Sequence, residues 1–462
     1  MEIMVNWNIS DKVTFITTDN AASMIKSIRL LGSITNVERI SCAAHTLQLV
    51  IGKALTCNTN IQIFILRAKR LVHFFNTPKQ LEHLIAAQEQ LNYTKTYKTV
   101  KDVQTRWNSS FYSWERLLVL KNALIYLPNK LQADQIRENA KDGSRLERIM
   151  LSKEEWEFME NLVNILKKFE EITRSLSGSK YVTLSLIYPL IFKLKIFIEK
   201  ELINQKEKEK GKNKNTSQIS LLNNDDDELQ NEILEEFEEI PDDEIADTIV
   251  INEKGSKKSL NILNPIETKG LVIIILEALD QSLKKYWSVS SDVGLIATLL
   301  DPRFKKLGCF NNIDKQKANT LLIKKYEEYI SNNNIINTED SENQTEENLD
   351  ELDDLNKSLM NSIFGKEESD DEEENEVDVY YNLKAAKFGI NPLFWWKNNE
   401  KKFPILSKLS KEYFGISATS VPSERLFSDV GNVITNKRSS LKPEKVEKLI
   451  FLKRNASLLD MM

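Results

Sequence analysis

The stretch DKVTFITTDNAASM places an acidic side chain where a β-strand is predicted to end. The apolar and β-branched residues 13–18 predict a strand, and the small residues after Asn20 predict the start of a helix, with Asp19 between the two. An α/β protein commonly presents a carboxylate at the carboxyl end of a strand in this way. Alternatively, Asp19 only accepts backbone N–H bonds at the start of the helix.

A cysteine and a histidine follow the next predicted strand, in CAAH. Cys42 and His45 are three residues apart, one helical turn, so both lie on one face of the predicted helix. As metal ligands they would form half of a site, and no second closely spaced pair of this kind accompanies them. We therefore expect a structural role, or a histidine that reaches toward a substrate, rather than a zinc site.

The segment TRWNSS combines a cation with a large aromatic ring. Arg106 offers a planar fork for a phosphate group, and Trp107 offers a surface on which a nucleic-acid base could stack. The alternative is that Trp107 anchors the core at a helix start, where Asn108 or Ser109 would serve as the cap.

A second carboxylate is predicted at the start of a helix in SATSVPSERLFSDVGNVI. Ser423 is expected to cap this helix and to place Glu424 in its first turn. The helix dipole favours a negative charge there, which keeps a carboxylate ionised for metal binding. Helical spacing predicts that Leu426, Phe427 and Val430 face the core.

The elements that must position these residues are mostly helices. Strand, helix, strand and helix are predicted in succession over residues 11–57, and the following helices break at Thr77-Pro78. An amphipathic helix follows TRWNSS, and further helices are predicted over about 153–177, 183–203 and 263–332. With only 13 glycines in 462 residues, the predicted fold class is α+β and mostly helical.

Charge is distributed unevenly along the chain. Residues 225–247 carry thirteen acids and no Lys or Arg, and residues 338–378 carry eighteen acids and two lysines, which leaves +23 elsewhere although the whole chain is −6. These compositions predict disordered linkers over about 205–260 and 333–378. A basic body is compatible with binding nucleic acid, although scattered lysines that only solvate helix faces are an open alternative.

Several classes of protein are not expected from the composition. Three cysteines and three histidines do not provide a disulfide framework or a zinc-finger spacing, so we expect a reducing compartment and no zinc. The longest apolar runs are about half the length of a membrane span, and no secretory leader follows Met1. We therefore expect neither secretion nor insertion into a membrane.

Five motifs occur in an order that resembles the hAT superfamily of DNA transposases and the BED-finger-type proteins derived from it. They are TTDNAASM, CAAHTLQLV, DVQTRWNSSFYSWERL, LLDPRFK and the long block from WW to FLKRN. The resemblance covers about residues 7–457 without the acidic linkers. It implies an RNase H-like domain that is interrupted by a large helical insertion, and a C-terminal dimerisation region.

The resemblance also assigns roles to the candidate residues. Asp19 matches the second and Glu424 the third of three family carboxylates that bind two divalent cations, for which Mg²⁺ is suited by its hard oxygen ligands. Cys42 and His45 fall on a Cys/Asp-x-x-His motif near that site. The matched Arg-Trp pair implies that Trp107 faces DNA and stabilises a flipped base, with His45, Arg106 and Trp107 as the expected DNA-binding residues. In LLDPRFK, the expected structural motif residues are Asp301, Pro302 and Arg303.

The C-terminal block is expected to self-associate. Its aromatic and apolar residues are of the kind that dominates protein interfaces, although closing the protein's own core is an open alternative. The residues expected to serve dimerisation are Trp395, Trp396, Leu426, Phe427, Val446, Leu449 and Ile450. The expected partners are a second copy of the chain, as a homodimer or higher oligomer, and DNA, with no small-molecule substrate, and the resemblance implies a nuclear protein.

The expected division of the chain follows from these matches. It comprises a partial RNase H-like segment, a helical insertion in two parts separated by a linker, a second linker, and the dimerisation region that completes the RNase H-like domain. Their ranges are 1–60, 61–204, 205–260, 261–332, 333–378 and 379–457.

The first family carboxylate has no match in this sequence. It belongs on an earlier strand, whereas Met1 lies only eighteen residues before Asp19, so the first three strands and the BED finger are also unmatched. Loss of one metal-binding carboxylate should slow the reaction by orders of magnitude, so we expect an inactive transposase remnant that requires no cofactor, or Mg²⁺ if activity remains. The alternatives are an active transposase whose missing strands come from an upstream exon or another chain, and a product with no stable fold.

Overall fold

The computed structural model describes residues 2–10, 12–35, 37–102, 107–212, 248–253, 256–339, 375–434 and 441–459. The chain divides into two compact units. The first comprises Met1–Ser177, Ile191–Val289 and Thr419–Met462, and the second comprises Gly178–Leu190 and Ser290–Ala418. The described elements are mostly helices, as the sequence predicts.

A two-stranded parallel sheet lies near the amino terminus of the first unit. β1 (Phe15–Thr18) pairs with β2 (Glu38–Ser41), and Thr18 lies opposite Ser41. Three helices accompany them: α1 (Glu2–Asn6), α2 (Ala22–Thr35) and α3 (Ala43–Thr56). Because the strands are parallel, their carboxyl ends meet at one edge, so the residues after β1 and after β2 are neighbours.

After α3, the next described elements of the first unit are helices. α4 (Thr59–Phe74) and α5 (Pro78–Gln90) are separated at the predicted break, where the Thr77 hydroxyl accepts the Gln80 N–H and Pro78 occupies the first turn. The chain continues with α6 (Trp107–Gln132), α7 (Arg137–Ile149), α8 (Lys153–Leu176), α9 (Ile187–Lys212) and α10 (Leu271–Tyr286). α10 packs on α3, whose apolar residues Leu47, Val50 and Ile51 are buried at the predicted helical spacing.

Within the described ranges, no single helix has both the length and the apolar composition of a membrane span. Among the helices that the structure describes, only α3 and α4 taken together pass that test, and the two are bent by 101° at their junction.

The first predicted linker is partly structured. α9 continues to Lys212, and residues beyond it form an antiparallel hairpin of β3 (Thr248–Glu253) and β4 (Ser256–Asn261). The prediction of disorder over 205–260 is therefore wrong for these residues. The consecutive β-branched residues of TIVI favour the first strand of this hairpin. The rest of this linker lies outside the described residues, as does 340–374 of the second one. Residues 333–339 and 376–378 of the second predicted linker belong to helices, so the prediction of disorder is wrong there as well.

Two helices near the carboxyl terminus complete the first unit. They are α16 (Val421–Val433) and α17 (Pro443–Leu459). Asp429 of α16 forms ion pairs with Lys453 at 2.9 Å and Arg454 at 2.6 Å, both on α17.

The second unit contains the remaining helices. A short 3₁₀ turn (Leu184–Leu186) leads into the start of α9, and five further helices follow: α11 (Asp292–Leu300), α12 (Asn312–Glu339), α13 (Glu376–Asn382), α14 (Pro392–Asn399) and α15 (Pro404–Phe414). Its core holds three large aromatic residues, Tyr380, Trp396 and Phe403, with ring centroids 5.1–6.1 Å apart.

Candidate functional site

Asp19 directly follows β1 and is half-buried. Its Oδ1 accepts the backbone N–H of Ala21 at 3.2 Å. This is the capping contact that the sequence left as the alternative to a chemical role. The contact occupies one lone pair of one carboxylate oxygen and leaves the rest of the group available.

Cys42 directly follows β2 and connects two distant parts of the chain. The fully buried Sγ accepts the N–H of His45 at 3.5 Å, which caps α3, and the N–H of Ser420 at 3.3 Å. Ser420 immediately precedes α16. One sulfur atom therefore joins the amino-terminal ends of α3 and α16.

Glu424 lies in the first turn of α16 and is half-buried. Ser420 donates its hydroxyl to Oε1 of Glu424 at 2.9 Å. The helix begins two residues before the expected cap Ser423, and Ser423 instead donates its own hydroxyl to the Ser420 carbonyl at 2.6 Å. Pro422 is the signal that was overlooked, because proline favours the first turn of a helix.

His45 experiences the charges of both candidate acids. Burial lowers the pKa of its imidazole below the ordinary value, while the carboxylates of Asp19 and Glu424 act in the opposite direction and Arg39 reinforces the decrease. Cys42 Sγ accepts the N–H groups of His45 and Ser420, and Ser420 bonds to Glu424, while Asp19 and Cys42 follow paired strands. The structure thus brings Asp19, His45 and Glu424 into one neighbourhood, although more than four hundred residues separate the two acids.

Arg39 is a member of this neighbourhood that the sequence analysis missed. Its Nε donates to Thr18 Oγ1 at 2.8 Å, and its Nη2 donates to Asn20 Oδ1 at 2.8 Å and to the Asp19 carbonyl. The negative charge of Asp19 raises the pKa of Arg39, although burial has the larger and opposite effect. The sequence offered one signal for this role, because Arg39 is a basic residue within the short second strand, which pairs with the strand that precedes Asp19.

These side chains do not fit a two-metal centre. Within the described ranges, no group of three or more His, Cys, Asp or Glu side chains is arranged to hold a metal ion. Asp19 and Glu424 supply two carboxylates, and the guanidinium beside Asp19 offsets one of their charges. We therefore assign no reaction step to a metal ion here.

Trp107 begins α6 with its ring buried, 6.3 Å from the ring of Phe111. This is the core-anchor arrangement, so a base could stack on Trp107 only if the ring left its present packing. Arg106 lies outside the described residues. A residue that was not singled out, Asp102, accepts the hydroxyls of Ser109 at 2.9 Å and Ser110 at 2.8 Å, which holds Asp102 against the first turn of α6.

The LLDPRF motif builds a buried ion pair in the second unit. Both carboxylate oxygens of Asp301 accept guanidinium N–H groups of Arg303, at 2.9 and 2.7 Å, and Ser185 donates to Oδ2 at 2.7 Å. The carbonyl of Pro302 accepts the Ala386 N–H at 2.8 Å. These hydrogen bonds all have both partners within the second unit, so the motif holds segments of that unit together.

Some of the residues expected to serve dimerisation are buried in the structure, and others are exposed. The structure buries Trp396, Val446 and Ile450 within a single chain and half-buries Trp395. It exposes Leu426, Phe427 and Leu449, so the prediction that Leu426 and Phe427 face the core is wrong. Helical spacing identified an apolar stripe but not what covers it.

Known proteins match the chain along nearly its whole length. Residues 376–456 match the hAT family C-terminal dimerisation region, and residues 40–165 match the ZBED1 RNase-like helical domain. A Zea mays protein named for the AC transposase is 25% identical over 98% of this chain and 49% of its own length.

Two further relatives carry BED-finger names. Human zinc finger BED domain-containing protein 4 is 23% identical over 91% of this chain and 29% of its own length. Rice zinc finger BED domain-containing protein RICESLEEPER 2 is 23% identical over 97% of this chain and 56% of its own length. The chain thus spans about half the length, or less, of these relatives. With the two matched regions, these likenesses support a transposase-derived protein of the hAT family.

Proposed function

We propose that this protein self-associates and binds DNA without catalysing metal-dependent strand transfer. The observation that carries the proposal is the position of Arg39, whose guanidinium lies beside Asp19 and donates to the Asp19 carbonyl and to Asn20. A pair of divalent cations needs an excess of negative charge from clustered carboxylates. A permanent cation in that cluster opposes the binding of another.

Self-association is supported by an exposed apolar surface within the matched dimerisation region. Phe427 on α16 is 72% exposed, and Phe451 on α17 is 66% exposed. We use the name α16–α17 face for the exposed apolar residues of these two helices taken together. Its members are Leu426, Phe427, Leu449, Phe451 and Leu452. Exposed aromatic groups of this size are typical of interfaces, because their burial against a partner is strongly favourable.

DNA association is supported by the family and by charge. Outside the two acidic segments the chain carries a net charge of +23, and lysine and arginine close to phosphates release condensed counterions. A DNA-bound role also places the protein in the nucleus, which a fluorescent fusion of the full chain would test.

The test combines cleavage and binding on the purified full chain. Incubation with supercoiled plasmid and Mg²⁺ or Mn²⁺ should leave the plasmid intact, while duplex DNA should be retarded in a gel at low salt. Cleavage that disappears in Glu424→Gln would overturn the claim of inactivity. Absence of retardation at low salt would remove the DNA role and leave self-association.

The second candidate function is an active hAT-type transposase. It is favoured by the convergence of Asp19 and Glu424 on His45, which is the arrangement expected of a catalytic neighbourhood. It requires a further carboxylate from another chain or from coding sequence upstream of the Met1 codon. Restoring any in-frame upstream sequence and repeating the cleavage assay would separate the two candidates.

A further inference from the structure

Residues 92–102, which connect α5 to the approach of α6, form a surface that the candidate site does not include. We call them the lysine strip. Lys95, Lys98 and Lys101 are all exposed. Within the described part of the chain, none of the three forms an ion pair with a carboxylate. The acid of the strip, Asp102, instead accepts the hydroxyls of Ser109 and Ser110 and lies 3.5 Å from Lys69.

A buried glutamine holds the middle of the strip. Gln88 Nε2 donates to the carbonyl of Tyr97 at 2.9 Å, and the N–H of Tyr97 donates to Gln88 Oε1 at 2.7 Å. The backbone carbonyl of Gln88 also accepts the N–H of Tyr93 at 3.0 Å. Because Gln88 is fully buried, these bonds lie out of competition with water and fix the local backbone.

The strip runs antiparallel to α6. Arg116 donates to the Lys98 carbonyl at 2.9 Å, and Ser113 donates to the Val100 carbonyl at 2.8 Å, one turn nearer the helix start. Asp102 then meets Ser110. Four residue steps of the strip, from Lys98 to Asp102, thus run beside six residue steps of the helix, about 9 Å of helix axis, which is about 2.3 Å per strip residue.

Two cationic side chains lie against an aromatic ring at the centre of the strip. The guanidinium of Arg116 lies 4.8 Å from the ring centroid of Tyr97, and the Lys95 ammonium lies 5.7 Å from it. Such contacts favour cations without neutralising them. The charges of Lys95 and Arg116 are therefore placed by the fold and remain available to an anionic ligand.

The spacing of the lysines suits a repeating anion. They recur every three residues, which advances about 7 Å at about 2.3 Å per strip residue. One strand of duplex DNA rises about 3.4 Å per phosphate, so this advance corresponds to about two phosphates. Three threonines lie between or beside the lysines and provide hydroxyl donors: Thr94, Thr96 and Thr99.

We propose that the lysine strip binds the phosphate backbone of duplex DNA. The assignment rests on the proposed DNA association and gives it a location. Hydrogen bonds fix the backbone before any ligand arrives, which lowers the entropic cost of binding. Since the lysines contact phosphates and not base edges, this binding is independent of DNA sequence.

The experiment measures the affinity of the full chain for a fluorescent duplex of mixed sequence over a salt series. Replacing Lys95, Lys98 and Lys101 together by alanine should weaken binding at least tenfold near 0.1 M salt. It should also make the slope of log K against log salt shallower by up to about 2.7, since each phosphate contact contributes about 0.9. The corresponding three arginine substitutions should retain both values.

A matched triple variant controls for net charge. Lys384, Lys387 and Lys397 are also exposed and form no ion pair among the described residues, so their replacement by alanine removes the same charge elsewhere. This control should bind nearly as the parent does. An equal loss in both triple variants, or no loss in the strip variant, would overturn the assignment while DNA association stands. A parent chain that binds no duplex at low salt would overturn both proposals.

A second variant tests the fixed backbone apart from the charge. Gln88→Ala should weaken DNA binding several-fold with the salt slope unchanged, provided that circular dichroism shows the helices intact. Unchanged affinity in the folded variant would overturn the claim of a prearranged site. Tighter binding of single-stranded RNA than of duplex DNA, dependent on the same lysines, would overturn the assignment to duplex DNA.

Discussion

The Sγ of Cys42 accepts the backbone N–H of Ser420 at 3.3 Å, although 378 residues separate them in the chain. The same sulfur caps α3 through the N–H of His45. Its two acceptor contacts therefore hold together the helix that carries His45 and the helix that carries Glu424. The resemblance to a Cys/Asp-x-x-His motif is understandable in these terms, because an aspartate side chain also accepts N–H bonds at a helix start.

We expect Cys42→Ala to lower the free energy of unfolding by about 1 to 3 kcal/mol, since it removes a cap and leaves two N–H groups without their acceptor. Cys42→Ser keeps an acceptor at the position and should cost less. Chemical denaturation provides the values. Hydrogen exchange at the start of α16 should accelerate in the alanine variant, and unchanged exchange there would contradict the coupling.

Much of the local arrangement around Cys42 was predictable from the sequence. Two short predicted strands, each followed directly by one of these residues and then a helix, predict that Asp19 and Cys42 lie at carboxyl ends of strands, and the structure pairs these strands in parallel. These features depend on local capping and helical spacing, and a few consecutive residues determine both.

Features that depend on distant packing were not predictable in the same way. Arg39 became part of the candidate site because β2 pairs with β1, and Phe427 is exposed although its helical spacing suggested a core position. The approach of Glu424 to His45 also depends on a contact across most of the chain. The order of family motifs indicated that approach, whereas residue spacing did not.

We expect the pKa of His45 to report the proximity of Glu424. Burial already holds this pKa below the ordinary 6.5. Removing a negative charge with Glu424→Gln should lower it further, and Arg39→Gln should raise it. Proton NMR of the three imidazoles against pH would measure the effect, with His45→Gln for assignment. A rise in the pKa of Glu424→Gln would contradict the proximity.

The same shift predicts a pH dependence of stability. Because the folded protein holds His45 with a lowered pKa, the unfolded chain binds more protons below about pH 6.5. The stability that His45 contributes is thus complete above that pH and is lost as the pH falls through the folded pKa. His45→Gln should flatten this part of the stability curve measured by denaturation between pH 7.5 and about 5.

A buried ion pair provides a fourth prediction. The Arg67 guanidinium donates to both oxygens of Glu155, at 2.7 and 3.1 Å, and also to the Ile262 carbonyl at 2.8 Å. Arg67→Met would leave the Glu155 carboxylate buried without its cation, so we expect a loss of about 3 to 5 kcal/mol in the free energy of unfolding.

The matched control for the ion pair removes both charges. Arg67→Met with Glu155→Leu leaves no uncompensated charge, so the double variant should be more stable than Arg67→Met alone. Urea denaturation of the three proteins gives the comparison. A double variant less stable than the single one would show that the backbone contacts of the pair matter more than its charges.

The α16–α17 face gives the last prediction. Phe427 is 72% exposed in the single chain, so Phe427→Asp should leave the fold intact, yet it would place a charge inside an interface that buries this ring. We expect the variant to shift the protein to monomer at tens of micromolar in sedimentation velocity. Phe388→Asp, on a ring 63% exposed in the second unit, is the matched control and should sediment as the parent does. A strictly monomeric parent at that concentration, or a Phe427→Asp variant that associates as the parent does, would remove the face from self-association.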